Sequence, residues 1–150
     1  MIEPLHLSFE IACPADHAFR TWTERFAAWW PKGHSTSGDP QSVHLEPRIG
    51  GRIFERTKDG AEIVWGEITA WDPPRRLAYL WHIGHDATYA TDVELTFVPV
   101  GRGATRLDIV HTGWERLGAG GPAYREGNTA GWTTLIPHFA AAAIDPQEHP

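Results

Sequence analysis

The sequence predicts an α+β domain: a curved antiparallel sheet of about six strands wrapped around one long C-terminal helix, with two short helices after the first strand. Three observations predict it. Residues 5–11 alternate apolar and polar side chains at the period of a half-buried strand. Residues 43–111 read as strand after strand joined by short turns, and short connections force antiparallel pairing because parallel pairs need long crossovers. The last third then changes to helical spacing. Strands closed by a helix make an α+β layer design.

In the first strand Leu5, Leu7, Phe9 and Ile11 alternate with His6, Ser8 and Glu10. Pro14 suits the first helical position, and Asp16 the positive end of a helix. Phe19, Trp22, Phe26 and the Trp29-Trp30 pair follow at helical spacing, so one or two short helices run to Pro31. Residues 32–40 are a loop by composition. A strand over 43–46 leads to Gly50-Gly51, which permits a tight bend or bulge. Strands over 52–56 and 62–71 flank Asp59-Gly60, the strongest short hairpin signal in the chain. Asp72-Pro73-Pro74 turns the chain into a strand over 76–83. Strands over 91–100 and 104–111 flank a second hairpin at Gly101-Arg102-Gly103. After Trp114, a glycine-rich bend over 117–122 leads into a helix over about 123–143. On it Tyr124, Asn128, Trp132, Leu135, Phe139 and Ala142 share one stripe. Pro137 is expected to kink this helix through its clash with the Thr133 carbonyl. Gly127 and Gly131 each cost about 1 kcal/mol of helix propensity, which predicts a compensation such as close approach to the sheet.

Composition narrows the function. A chain of 150 residues with net charge −6 suggests one domain, large enough to need neither disulfides nor a metal to hold it. No internal repeat, linker or second domain is visible. The 41% hydrophobic content excludes disorder. Thirteen basic against nineteen acidic residues leave no basic surface for nucleic acid. Cys13 stands alone, so no disulfide framework exists and a reducing, cytoplasmic setting is expected. The N-terminus carries no basic patch and apolar block. The most apolar tract, residues 135–144, is broken by Pro137 and His138 and is too short for a bilayer, so no membrane insertion is expected. Eight tryptophans against one methionine point to an aromatic-lined interior or cleft.

Five segments resemble a known family: PADHAFRTWTERFAAWWP (residues 14–31), EPRIGGRIFE (46–55), WGEITAWDPPRRL (65–77), GATRLDIVHTGWE (103–115) and AGWTTLIPHFA (130–140). Together, in collinear order, they resemble the activator of heat-shock protein 90 ATPase homologue-like family, within the START-like (SRPBCC) superfamily. The resemblance implies a helix-grip fold with a hydrophobic cavity under the C-terminal helix. The eukaryotic co-chaperones of that family carry the domain behind a separate chaperone-binding domain. This sequence starts directly at its first strand, so a chaperone-activating role is not the expectation.

Candidate chemistry follows from strand parity. Thr105, Leu107, Ile109 and His111 share the apolar face, placing His111 at the cavity end beside Trp114. There it binds a ligand oxygen or acts as a general base, or it is a hydrogen-bonded structural histidine. Glu55 shares a face with Ile53, and Glu67 with Ile63 and Trp65. Buried in an apolar cavity, either carboxyl, or Glu46, has a raised pKa and serves as an acid. The alternative is that these carboxylates face solvent or pair with Arg48, Arg52 or Arg56. Asn128 in the helix stripe contacts a ligand or bonds a strand edge. Trp29, Trp30, Trp65, Trp81 and Trp132 are the aromatics placed to line a cleft, about half of them at its wall.

His82, His85 and Asp86 lie close in sequence, but the two imidazoles point to opposite strand faces and no metal set is completed, even with His34. No nucleotide phosphate loop and no G-x-S-x-G elbow occurs. Cys13 has no positioned histidine.

The expected function is binding of a small apolar or aromatic molecule without covalent chemistry, cofactor or metal. The expected ligand residues are Trp30, Glu55, Trp65, Glu67, Trp81, His111, Asn128 and Trp132. A cofactor-independent cyclase or hydrolase using His111 and a glutamate is the second reading. A co-chaperone domain contacting a chaperone ATPase is the third. A Trp-rich strand edge would support a homodimer.

Overall fold

The computed structural model describes residues 2–144. Strand β1 (Leu5–Ile11) precedes helices α1 (Ala15–Thr23) and α2 (Phe26–Trp29). Strands β2 (Ser42–Leu45), β3 (Arg52–Arg56), β4 (Glu62–Asp72), β5 (Arg76–Trp81), β6 (Thr91–Val100) and β7 (Ala104–Thr112) follow. A 3-10 segment (Trp114–Gly120) then leads into helix α3 (Gly121–Ile144). All seven strands form one curved antiparallel sheet in the order β1-β7-β6-β5-β4-β3-β2. The meander from β2 to β7 is fixed by its short turns, and β1 adds to its far edge with Leu5 opposite His111.

The inner face follows the period of two. Thr91, Val93, Leu95 and Phe97 of β6 are buried, as are Thr105, Leu107, Ile109 and His111 of β7. The alternation breaks on β4. Ile53 of β3 sits opposite Gly66 and Phe54 opposite Val64, which leaves Trp65 as an extra residue. Such a bulge reverses the parity beyond it. Trp65 and Ile68 therefore both point into the core, and Glu67 is exposed. The expectation that Glu67 shares the face of Trp65 is thus corrected. Gly66 makes the bulge feasible: a Cβ there would lie 2.0 Å from the Leu80 carbonyl oxygen.

Helix α3 begins two residues before the predicted start and continues through Pro137. Pro137 and Thr133 are both exposed, so water can reach the carbonyl that proline leaves unpaired. Trp132, Leu135, Ile136, Phe139 and Ala143 form its buried stripe. Phe139 meets Trp22 at 4.9 Å and Trp29 at 5.4 Å between ring centroids. The two short helices therefore pack shut the space beneath the second half of α3. Its first half is different. A Cβ at Gly127 or Gly131 would meet nothing within 4 Å, so neither glycine is explained by close approach to the sheet. That expectation is corrected: both face open space.

The sheet edges β1 and β2 contain no tryptophan, so the Trp-rich edge expected to support a homodimer is not formed. No helix among the described residues is long and apolar enough to cross a membrane.

Candidate functional site

A cavity of about 270 Å³ lies between the first half of α3 and the sheet. Facing the helix are Trp30 at the end of α2, Trp81 of β5, Ile83 just beyond it, and His34 from the loop after α2. Its helix side is Ala123, Tyr124, Gly127, Asn128, Gly131, Trp132 and Leu135. Trp30 is wedged against Trp65 at 5.5 Å and Trp81 at 5.6 Å, and its Nε1 donates to the His34 carbonyl at 2.7 Å. The wall is therefore pre-formed by packing. Of the eight residues expected at the site, Trp30, Trp81, Asn128 and Trp132 line this cavity. Trp65, Glu55 and His111 stand behind the wall, and Glu67 is on the other face. Trp29 is core.

His111 is fully buried, with every ring nitrogen engaged. An indole can only donate, so Trp132 Nε1 gives its proton to His111 Nδ1 at 3.1 Å. The neutral ring then carries its proton on Nε2 and donates to Thr91 Oγ1 at 2.7 Å. Thr91 in turn donates to the Trp81 carbonyl at 3.1 Å. This chain fixes two cavity walls, Trp81 and Trp132, from behind. Burial lowers the His111 pKa to about 3, so it is a poor base near neutrality. Its linkage is acid-sensitive. The unfolded imidazole takes up a proton below about pH 6.5 while the folded one stays neutral. Stability is therefore complete above that pH and falls by about 1.4 kcal/mol per pH unit below it, until the folded pKa is reached. In urea melts between pH 7.5 and 4, His111→Phe is expected to lose this slope relative to the parent. Equal slopes would refute the assignment.

Glu55 has no exposed surface. It accepts from Thr36 N at 2.6 Å, Ser37 N at 3.3 Å, Ser37 Oγ at 2.6 Å and Trp65 Nε1 at 2.9 Å. Burial pushes its pKa up, but these donors outweigh that and hold it below the ordinary glutamate value. It is an ionised anchor for the 32–40 loop, not the proton donor expected from its burial. Glu46 is likewise ionised, held at about 2 by hydrogen bonds from the Arg52 side chain and amide.

The His82 to Asp86 stretch is a structured turn. His82 Nδ1 donates to the His85 carbonyl at 3.1 Å, and Asp86 caps a 3-10 turn through Thr88 N. Among the described residues, no group of three or more His, Cys, Asp or Glu is placed to hold a metal. Burial raises the Cys13 pKa to about 11, so it remains a thiol.

Two cavity residues with titratable side chains were not among the expected ligand contacts. His34 is half-buried at the wall, its pKa lowered by burial and by His138. Tyr124 lines the cavity with a buried hydroxyl that has no hydrogen-bond partner among the described residues. Tyr124 carried a signal, its place in the helix stripe. His34 carried none, because its loop is held at the cavity by long-range bonds from Thr36 and Ser37 to Glu55 and by the Trp30 indole on its own carbonyl.

The sequence profile described as activator of Hsp90 ATPase homolog 1-like protein matches residues 12–143. Among solved structures the chain is similar to an anthrahydroquino-γ-pyrone synthase, Txn09, complexed with SUM. Identity is 34% and the TM-score 0.66, over 94% of this chain and 97% of that one. It is also similar to CalC, a self-sacrificing resistance protein from Micromonospora echinospora, at 28% identity and TM-score 0.70 over 93% of each chain. An HSP90 activator from Plasmodium falciparum matches at 19% identity and TM-score 0.63, over 94% of this chain and 95% of that one, a likeness of fold. No curated protein matches the sequence.

Proposed function

The chain belongs to the activator of Hsp90 ATPase homolog 1-like family, and from that premise we propose that it binds a small aromatic molecule in the cavity under α3, without covalent chemistry. The observation that carries this reading is the cavity's lining. Three tryptophan rings and a tyrosine wall it, while the two residues expected to act as acid and base stand behind that wall with their polar atoms committed. Flat aromatic walls favour a flat apolar guest through offset and edge contacts. The size is compatible. An engineered cavity of about 150 Å³ takes up benzene, and this one is larger. The names of the synthase and of the resistance protein belong to those proteins, and they are compatible with a small-molecule role here.

Titration with 2-naphthol, followed by tryptophan fluorescence and thermal melting, tests the proposal. Three of the eight tryptophans line the cavity, so binding is expected to quench emission. At a hundredfold excess over Kd, stabilisation should approach about 2.7 kcal/mol, which raises Tm by roughly 5–10 °C. A melt and an emission spectrum unmoved by 2-naphthol and by naphthalene would overturn it.

The 34% identity to a synthase favours a second reading, cyclase-type catalysis in the same cavity. His34 is then the titratable group at the wall, in place of His111 and Glu55. Turnover of a polyketide-like substrate that is lost in His34→Ala, with binding retained, would select this reading over simple binding.

A further inference from the structure

A second apolar space adjoins the cavity. Ala123 and Tyr124 line the cavity and also line an open groove of about 530 Å³, whose other walls are His85, Tyr89, Leu117 and Gly120. The two spaces therefore meet at the start of α3. Ala123 carries only a methyl group and is exposed, as is Gly127 one turn along, so the wall between cavity and groove is low there. Tyr124 is its high part, the ring edge-on to His85 at 4.8 Å and to Trp114 at 5.9 Å.

The groove runs between two 3-10 elements that the fold holds in place. One is Ala87–Tyr89, capped by Asp86, which accepts from Thr88 N at 2.9 Å. The other is Trp114–Gly120. Arg116 ties the two together: its Nη1 donates to the Ala90 carbonyl at 3.0 Å and pairs with Asp92 at 2.7 Å. The groove is thus formed before anything enters it, which spares a guest the cost of ordering it. Its six lining residues include no carboxylate, ammonium or guanidinium group. Tyr89 is 45% exposed and Leu117 half-buried. An isolated exposed tyrosine is ordinary. One that lines a concave groove continuous with an apolar cavity is where the apolar surface of a ligand goes.

We infer that this groove is a second subsite, and that the guest is an aromatic ring seated in the cavity with a flexible hydrocarbon tail that crosses Ala123 into the groove. The path rounds Tyr124, which a flexible tail can follow and a rigid extension cannot. The lack of charge in the groove favours hydrocarbon over an ionic group. This inference rests on the binding reading above and adds a substrate class to it.

The test measures Kd by tryptophan quenching for naphthalene and its 2-methyl, 2-butyl and 2-tert-butyl derivatives. At about fourfold for each methylene removed from water, 2-butylnaphthalene is expected to bind at least tenfold tighter than 2-methylnaphthalene. It should exceed by a similar factor its compact isomer 2-tert-butylnaphthalene, which has the same carbons but cannot reach the groove. Gly120→Leu fills the groove without backbone strain, since a Cβ there meets nothing within 4 Å and the residue is not among the positive-φ glycines. It should bring 2-butylnaphthalene to the affinity of 2-methylnaphthalene and leave naphthalene unchanged. Where melting shows that Gly120→Leu does not fold, Tyr89→Ala at its exposed position decides: it should lose several-fold of the gain from the tail, again with naphthalene unchanged. Equal affinity of the straight and branched isomers would overturn the inference, as would a gain from the tail that survives intact in the deciding variant. Both outcomes leave the aromatic-binding reading standing, because naphthalene still binds. Failure of naphthalene and all three derivatives to bind would remove both.

Discussion

Replacing Glu55 with alanine is expected to destabilise the protein by about 3–5 kcal/mol, the range for unpairing a buried hydrogen-bonded charge. The melting temperature should fall by roughly 10 °C. The carboxylate gathers four donors from two places in the fold: the 32–40 loop and Trp65. Without it, water can reach Thr36 and Ser37, which are exposed, but not Trp65, which is fully buried. The indole N–H is then left unpaired, and the loop that places His34 at the cavity loses its anchor. Glu55→Gln keeps the shape and one good acceptor, so it should fall between the two. The pH dependence has a definite sign. With its folded pKa below the unfolded value near 4.3, Glu55 contributes fully above that pH and progressively less as pH falls through the folded pKa. The gap between the parent and Glu55→Gln in urea melts should therefore be widest at neutral pH and close in strong acid. A gap of less than about 1 kcal/mol for Glu55→Ala at pH 7 would show that the carboxylate is not an anchor.

Replacing Gly131 with leucine should raise stability while abolishing binding, a combination most substitutions cannot produce. Nothing lies within 4 Å of a Cβ built at this position, and the residue borders the cavity. Removing a mid-helix glycine stabilises the helix by up to about 1 kcal/mol, and the added carbons bury themselves in space otherwise open to a guest. Tm should rise by about 3 °C, and affinity for 2-naphthol should fall at least tenfold, the factor for about 1.4 kcal/mol of lost contact. Gly127→Ala should move both quantities in the same direction by less. Undiminished 2-naphthol binding by a folded Gly131→Leu protein would remove the cavity as the binding site. The two glycines thus have a physical account: they give up helix propensity where a side chain would occupy the cavity.

Several of these features were legible before any coordinates. Asp59-Gly60 and Gly101-Arg102-Gly103 placed two hairpins correctly, because turns needing positive φ accept few residue types. Parity on β7 put His111 inside, beside Trp114, at 4.2 Å between ring centroids. Parity on β4 misplaced Glu67, since the extra residue at Trp65 follows from pairing with β3 and leaves no local mark. Glu46 pairs with Arg52, one of the alternatives that the sequence leaves open. The protonation of Glu55 was not predictable, because three of its four donors lie eighteen and nineteen residues away in a loop without periodicity.

The sequence by itself determined the kind of layers, their order and the side chains available to line a pocket, because period, turn chemistry and composition are local properties. It also determined the excess of tryptophan, seven of whose eight members are buried. Only the tertiary structure decided which tryptophans face a cavity and which fill the core. Trp22 and Trp29 pack on Phe139 under the second half of α3, while Trp30, Trp81 and Trp132 border the space beneath its glycine-bearing first half. The reason is physical: whether a ring meets another ring or an opening depends on the relative placement of elements far apart in the chain, and that placement is settled by packing of the whole core.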